Sequence, residues 1–264
     1  MNLALSDPRV SALPAFPIAG RVSTGWVDRT VEGRLVLLRQ TVIREAARVT
    51  EELVYPDAME TLALPAPLGA WTIDRRVTAR GVVGLTGKGE VILWQDGPAE
   101  VFGTAEGDWT GGAMSCLLDG ETVLFVERRT ARLHRVDLRT RSIETRDVGA
   151  QEVVERLNRC AQRAAAAKRP SLRPIVAIGL SCRQGQILLS LGNYRFSDGA
   201  LVLHLNGSGE VIESLRCRLP QAPDYRVSPD NPDGYAQPAL LASSGSQLFL
   251  LARRGMVLAY RLHP

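Results

Sequence analysis

Apolar residues in this chain gather into short unbroken runs, each announced by a glycine. Gly33 precedes RLVLL, Gly89 precedes EVILW, Gly120 precedes ETVLFV, Gly185 precedes QILLSL and Gly245 precedes SQLFLL. Each run follows a strand-like stretch (STGWVD, GVVGLT, AMSCLL, IVAIGLS and ALLASS), and the later runs lead through a turn into another, such as GALVLHL or GMVLAYRL. Short apolar runs bounded by turn residues are the mark of buried strands. The recurring order is strand, glycine turn, strand, turn, strand. Two copies coincide closely: GETVLFVERRTARLHRVDL (120–138) and GSQLFLLARRGMVLAYRLH (245–263) share the glycine, the apolar quartet and the Arg-Arg pair.

A sheet with one face in water alternates apolar and polar side chains. VLFV, LFLL and VILW do not alternate, so both faces of those strands need a packing partner. A sandwich seldom asks this of every repeat. Sheets stacked side by side around an axis ask it of each middle strand. Gly33 and Gly245 stand 212 positions apart, four intervals averaging 53, near the ~40–50 residues of a propeller blade. The pattern predicts an all-β chain, a single β-propeller domain over 1–264 with five irregular blades, or six if one is degenerate.

Three places strain that count. Only 31 residues separate Gly89 from Gly120, too few for a four-stranded blade. Residues 41–54, TVIREAARVTEELV, fit either a helix or an irregular long strand. The last unit stops one strand short, and the apolar MNLALS at the start is expected to supply that strand and hide an edge.

The turns add a resemblance. VDLRTRSIE (136–144) and LNGSGEVIE (205–213) align at Asp137/Asn206 and Thr140/Gly209. Asp or Asn opens a tight turn by bonding its own backbone. Together the two resemble the hairpins of quinoprotein-like and lactonase-like propellers, with Arg141 where that pattern usually has Gly. The resemblance covers about 18 residues, implies the fold and carries no activity. No Trp-Asp repeat ending is present.

One helix is expected, an insertion between the third and fourth units. In QEVVERLNRCAQRAAAAK (151–168), Val153, Leu157, Cys160 and Ala164 recur at helical spacing. Glu152 and Glu155 open it, Lys168 closes it and Pro170 stops it.

Charge is uneven. The chain carries 32 basic and 28 acidic residues, and only Lys88 and Lys168 of the basic set are lysines. Residues 128–173 hold 13 basic against five acidic side chains, and the rest holds 19 against 23. A basic face is expected from Arg128, Arg129, Arg132, Arg135, Arg139 and Arg141, joined by Arg156, Arg159 and Arg163 on the polar side of the helix. Arginine forks suit carboxylate or phosphate. The segment has no Phe, Tyr or Trp to stack on bases, so an acidic protein surface fits better than nucleic acid. No apolar run is long enough for a membrane helix and no basic-start signal peptide is visible, so the expectation is a cytoplasmic protein. The four cysteines, with no C-x-x-C pair, are expected as free buried thiols.

Catalytic motifs are incomplete. GVVGLTGKGE (81–90) lacks the first Gly and the closing Ser/Thr of a phosphate loop. GLSCR (179–183) lacks the closing Gly of a nucleophile elbow. His134, His204 and His263 all lie near strand ends, but His134 and His204 fall on oppositely facing positions, and no metal or cofactor is expected. Two loops carry candidate pocket residues at the ring mouth: Glu106, Asp108 and Trp109 in the first, Asp224, Tyr225, Arg226 and Asp233 in the second. The expectation is a non-catalytic interaction or scaffold module in a bacterial multi-component assembly, with the basic face docking an acidic partner. A hydrolase or lyase acting on a small or sugar-like substrate is the alternative.

Overall fold

The computed structural model describes residues 21–30, 33–43, 48–64, 72–95, 97–149, 155, 176–183, 185–191, 200–217, 239–244, 247–251 and 257–261. The chain divides into two compact units, 1–70 and 71–264. The first holds one antiparallel sheet of β1 (Arg21–Arg29), β2 (Leu35–Ile43), β3 (Arg48–Tyr55) and β4 (Glu60–Ala63). Residues 48–54 are therefore strand and not helix: Thr50 and Leu53 pair with Thr41 and Leu38 across β2.

The second unit holds four antiparallel sheets in its described residues, each a meander in chain order. The first comprises β5 (Thr72–Thr78), β6 (Gly81–Thr86), β7 (Glu90–Trp94) and β8 (Glu100–Thr104). The second comprises β9 (Ala113–Leu117), β10 (Thr122–Glu127), β11 (Leu133–Asp137) and β12 (Ser142–Arg146). The third comprises β13 (Ala177–Arg183), β14 (Gln186–Leu191), β15 (Ala200–Leu205) and β16 (Val211–Cys217), and the fourth β17 (Ala239–Ser244), β18 (Gln247–Leu251) and β19 (Val257–Arg261). The strand expected from MNLALS lies outside the described residues, as does the 151–168 helix apart from Glu155, which is helical.

The short Gly89–Gly120 interval has a simple cause. Gly33, Gly120, Gly185 and Gly245 stand between the first and second strands of their sheets, but Gly89 stands between the second and third. The glycine marker slips by one strand, and a full four-stranded sheet, β5–β8, fits after all. The turn at Gly89 has the same build as Thr30–Arg34 and Asn206–Glu210, although each joins a different pair of strands in its sheet. In all three the fourth residue is glycine at φ +84°, a conformation that costs other residues about 1 kcal/mol or more. Its N–H bonds the carbonyl of Thr30, Thr86 or Asn206. The side-chain oxygen of that opening residue caps the N–H that follows, at Arg34, Glu90 or Glu210.

The middle strand β10 is apolar on both sides because it feeds two cores. All six residues of β10 are buried. Val123 and Phe125 join Val83, Leu85, Val91, Leu93 and Trp109 in one cluster, while Leu124 and Val126 join Ile187, Leu189, Leu191 and Leu205 in another. Successive strand residues face opposite ways, so the run VLFV serves the sheet before it and the sheet after it. Each large side chain so buried contributes roughly 1.5–3 kcal/mol.

Within the second unit the first strands β5 and β9 stand side by side and run the same way. Ser115 of β9 donates to Asp74 of β5 at 2.7 Å, Arg76 of β5 donates to the Ser115 carbonyl, and Ala79 just beyond β5 bonds Gly120 just beyond β9. Cys116 of β9 is disulfide-bonded to Cys182 of β13. This corrects the expectation of free thiols for these two. Adjacent parallel inner strands bring together cysteines 66 residues apart in sequence. β13 in turn lies against β17.

Candidate functional site

Register shows which connections share one end of the second unit. At the end of the β9–β12 sheet where β9 begins, Arg128 N donates to Gly112 O, and the Arg128 carbonyl accepts from Val176 and Ala177 at 2.7 and 2.9 Å. Ala177, Leu191, Leu201 and Arg216 line up across the next sheet at that same end. The connections 105–112, 150–175 and 218–238 and the turn 128–132 therefore all leave from this end.

The loop 105–112 is built inward. Trp109 is buried, and its indole N–H donates to the Ala105 carbonyl at 2.8 Å. Asp108 caps the short 3-10 turn Trp109–Gly111, accepting from the Thr110 N–H at 3.1 Å and from the Thr110 hydroxyl. Glu106 is exposed. Of the loop's pocket candidates, Trp109 is an anchor in the core and the Asp108 carboxylate caps a turn. Asp224, Tyr225, Arg226 and Asp233 lie outside the described residues.

Beneath the loop sits a group that sequence reasoning passed over. Glu127 and His134 are fully buried, with Glu127 Oε1 2.8 Å from His134 Nε2. Glu127 Oε2 accepts from the Asp108 N–H at 3.0 Å and the Thr130 hydroxyl at 2.6 Å. His134 Nδ1 stands 2.9 Å from the Thr145 hydroxyl, and its ring lies 4.7 Å from that of Trp109. Burial pushes the Glu127 carboxyl up, but the bonds from His134, Thr130 and the Asp108 amide together hold it below the usual carboxylate range. The sequence signal was slight: a glutamate closing an otherwise apolar strand, and a histidine set aside as a metal ligand.

The expected basic face divides. Arg128, Arg129 and Arg132 lie in the β10–β11 turn, at the end just described. Arg139 and Arg141 lie in the β11–β12 turn at the opposite end, roughly 20 Å away along β11. Arg135, between them, faces Glu144 at 3.7 Å and Asp137 at 3.9 Å. Arg141 pairs with Glu100 at 2.6 Å and covers the Phe102 ring, and Arg146 reaches Glu210 at 3.3 Å. Arg129 bonds the Thr110 hydroxyl and lies 3.9 Å from Asp108. Among the described residues, no carboxylate pairs with Arg128, Arg132 or Arg139. Arg156, Arg159 and Arg163 lie outside the described residues, within the connection that leaves beside Arg128.

No family model and no curated protein matches the sequence. Solved structures match at the level of fold. U3-55K aligns at a TM-score of 0.51 with 10% identity, over 89% of this chain and 61% of that one. A streptogramin B lyase aligns at 0.48 with 10% identity over 94% and 86%, and a chain of the nidogen/laminin complex at 0.46 with 10% identity over 86% and 72%. The chain thus spans about three fifths of U3-55K. The fold is all-β, of the β-propeller type. Among the described residues no helix is long and apolar enough to cross a membrane.

Proposed function

We propose that this chain is a non-catalytic propeller module that docks an acidic partner protein within a multi-component assembly. The docking end carries Arg128, Arg129 and Arg132; Arg156, Arg159 and Arg163, which lie outside the described residues, are proposed to join them. The carrying observation is the uneven neutralisation of the arginines. Arg135, Arg141 and Arg146 face Glu144, Glu100 and Glu210, while Arg128, Arg132 and, at the opposite end, Arg139 have no such counter-charge among the described residues; only Arg128 and Arg132 share one turn. A guanidinium without an internal carboxylate offers its fork to an external one at little extra desolvation cost. On this reading 1–264 acts as a single domain.

The test is co-purification from source cells with wild type, Arg128→Glu/Arg132→Glu and Arg139→Glu/Arg141→Glu. Proteins enriched by the wild type should be lost from the first variant and kept by the second. Equal retention by both would refute the reading. A second reading, a hydrolase or lyase on a small or sugar-like substrate, draws support from the shared exit of 105–112 and 218–238. It places Glu106, Asp224 and Asp233 at the reacting centre, and their amide variants should then abolish turnover.

A further inference from the structure

Sheet register exposes an oddity in the β10–β11 hairpin. Phe125 pairs with His134 as Leu189 pairs with Leu203, and Val123 pairs with Val136 as Ile187 pairs with Leu205. Leu203 and Leu191 thus occupy in the β14–β15 hairpin the places of His134 and Glu127. Both pairs are buried. The hairpin itself needs no charge there, and a buried ionisable pair is often no more stabilising than apolar residues of similar size. What leucines cannot do is hold neighbouring backbone.

Glu127 does this on two sides. Its Oε2 takes the Asp108 N–H of the loop and the Thr130 hydroxyl of the turn. His134, held in turn by Thr145 and Trp109, fixes the other oxygen. Gly107 lies directly over the carboxylate, with space for no side chain: a Cβ there would stand 2.1 Å from Glu127 Oε1. The turn is set in a costly shape as well, since Ala131 is buried with φ +59°. Such strain persists where surroundings over-determine it, commonly at functional segments.

We infer that Glu127 and His134 are positioning residues for the docking end, holding loop 107–112 and turn 128–132 in the one arrangement that presents Arg128, Arg129 and Arg132 to an anionic partner. This rests on the proposed function. Preordering lowers the conformational cost of binding, so its removal weakens docking without touching a contact residue.

The test replaces the pair by the residues of the sister hairpin, Glu127→Leu/His134→Leu, beside Arg128→Glu/Arg132→Glu. Three quantities are read: melting temperature, amide exchange at Asp108 and Ala131, and affinity for a fluorescent oligoglutamate peptide. The leucine pair should stay folded, its added apolar burial offsetting part of the bonds it loses. Asp108 exchange should rise about tenfold and affinity fall about tenfold, the equivalent of one lost hydrogen bond to a charged acceptor. Glu127→Gln, which keeps an acceptor for the Asp108 amide, should recover most of both. Unchanged exchange and affinity in a folded leucine pair would overturn the inference. Should the arginine reversal bind oligoglutamate like wild type, the docking reading fails, while the exchange result still decides whether the pair orders the loop. If the leucine pair does not fold, Thr130→Val removes, at constant volume, the hydroxyl that donates to Glu127 and accepts from the Arg132 N–H. It should then give about a threefold change in exchange and affinity, and no change would overturn the inference.

Discussion

Gly107→Ala is the sharpest test of the packing beneath the loop. The added Cβ would lie 2.1 Å from Glu127 Oε1, 2.7 Å from its Cδ and 3.3 Å from His134 Nε2. Ordinary carbon contacts begin near 3.5 Å, so something must retreat by about 1 Å. A carboxylate at the end of a flexible side chain usually yields cheaply, but this one is buried and held by three donors. If it swings away, the 2.8 Å bond to His134 breaks; if the loop lifts, the 3.0 Å bond from Asp108 breaks. Either loss costs about 1.5–3 kcal/mol, and residual overcrowding adds about 1 kcal/mol or more. A destabilisation of about 3 kcal/mol corresponds to a fall of roughly 6–12 °C in melting temperature. Gly87→Ala is the matched control, since its methyl meets only Ile73 at 3.8 Å. Glu127→Asp, one methylene shorter, should restore part of the loss in the Gly107→Ala background. A Gly107→Ala protein melting within about 1 °C of wild type would refute the packing argument.

Cys116→Ser/Cys182→Ser opens a 66-residue closure and should cost roughly 4 kcal/mol on the chain-entropy account; mass spectrometry should find both thiols blocked until reduction, and alkylation of both beforehand would contradict the disulfide. Arg141→Gly should stabilise by roughly 0.5–1 kcal/mol in denaturant titrations. It relieves a left-handed φ of +56°, and the exposed pair with Glu100 offsets little. A clear loss of stability would show that the ion pair outweighs the backbone. Because the Glu127 carboxyl is held low in the fold, its contribution is full above the unfolded value near pH ~4.3 and is lost as pH falls through the folded one. Wild type should therefore lose stability more steeply below about pH 4.3 than Glu127→Gln, and parallel curves would count against the assignment.

Much of the architecture was legible because it rests on one-dimensional signals. VLFV and VILW had to be buried on both faces, and they are. Asp137 and Asn206 bond their own turns as their side chains suggest. Outer strands were harder to see: β4 is exposed at every position and β8 is fully buried at none, and a strand without a buried face leaves no periodic mark. The glycine at 89 misled because one kind of glycine turn joins different pairs of strands.

The site was less legible, for a different reason. Charge counted along the sequence grouped Arg128 with Arg139, but a five-residue strand, β11, sends them to opposite ends. Cys116 and Cys182, and Asp108 and Glu127, meet only once neighbouring elements are packed together. Spacing cannot announce such contacts. The signal that was available lay in comparing repeats position by position, where Glu127 and His134 stand against Leu191 and Leu203.

The most direct measurement is a hydrogen-exchange footprint of the chain bound to a partner captured from its own cells. Docking through the proposed end predicts protection concentrated at 105–112 and 128–132, with 138–142 exchanging as in the free protein. Protection centred on 138–142, or spread evenly over both ends, would contradict it.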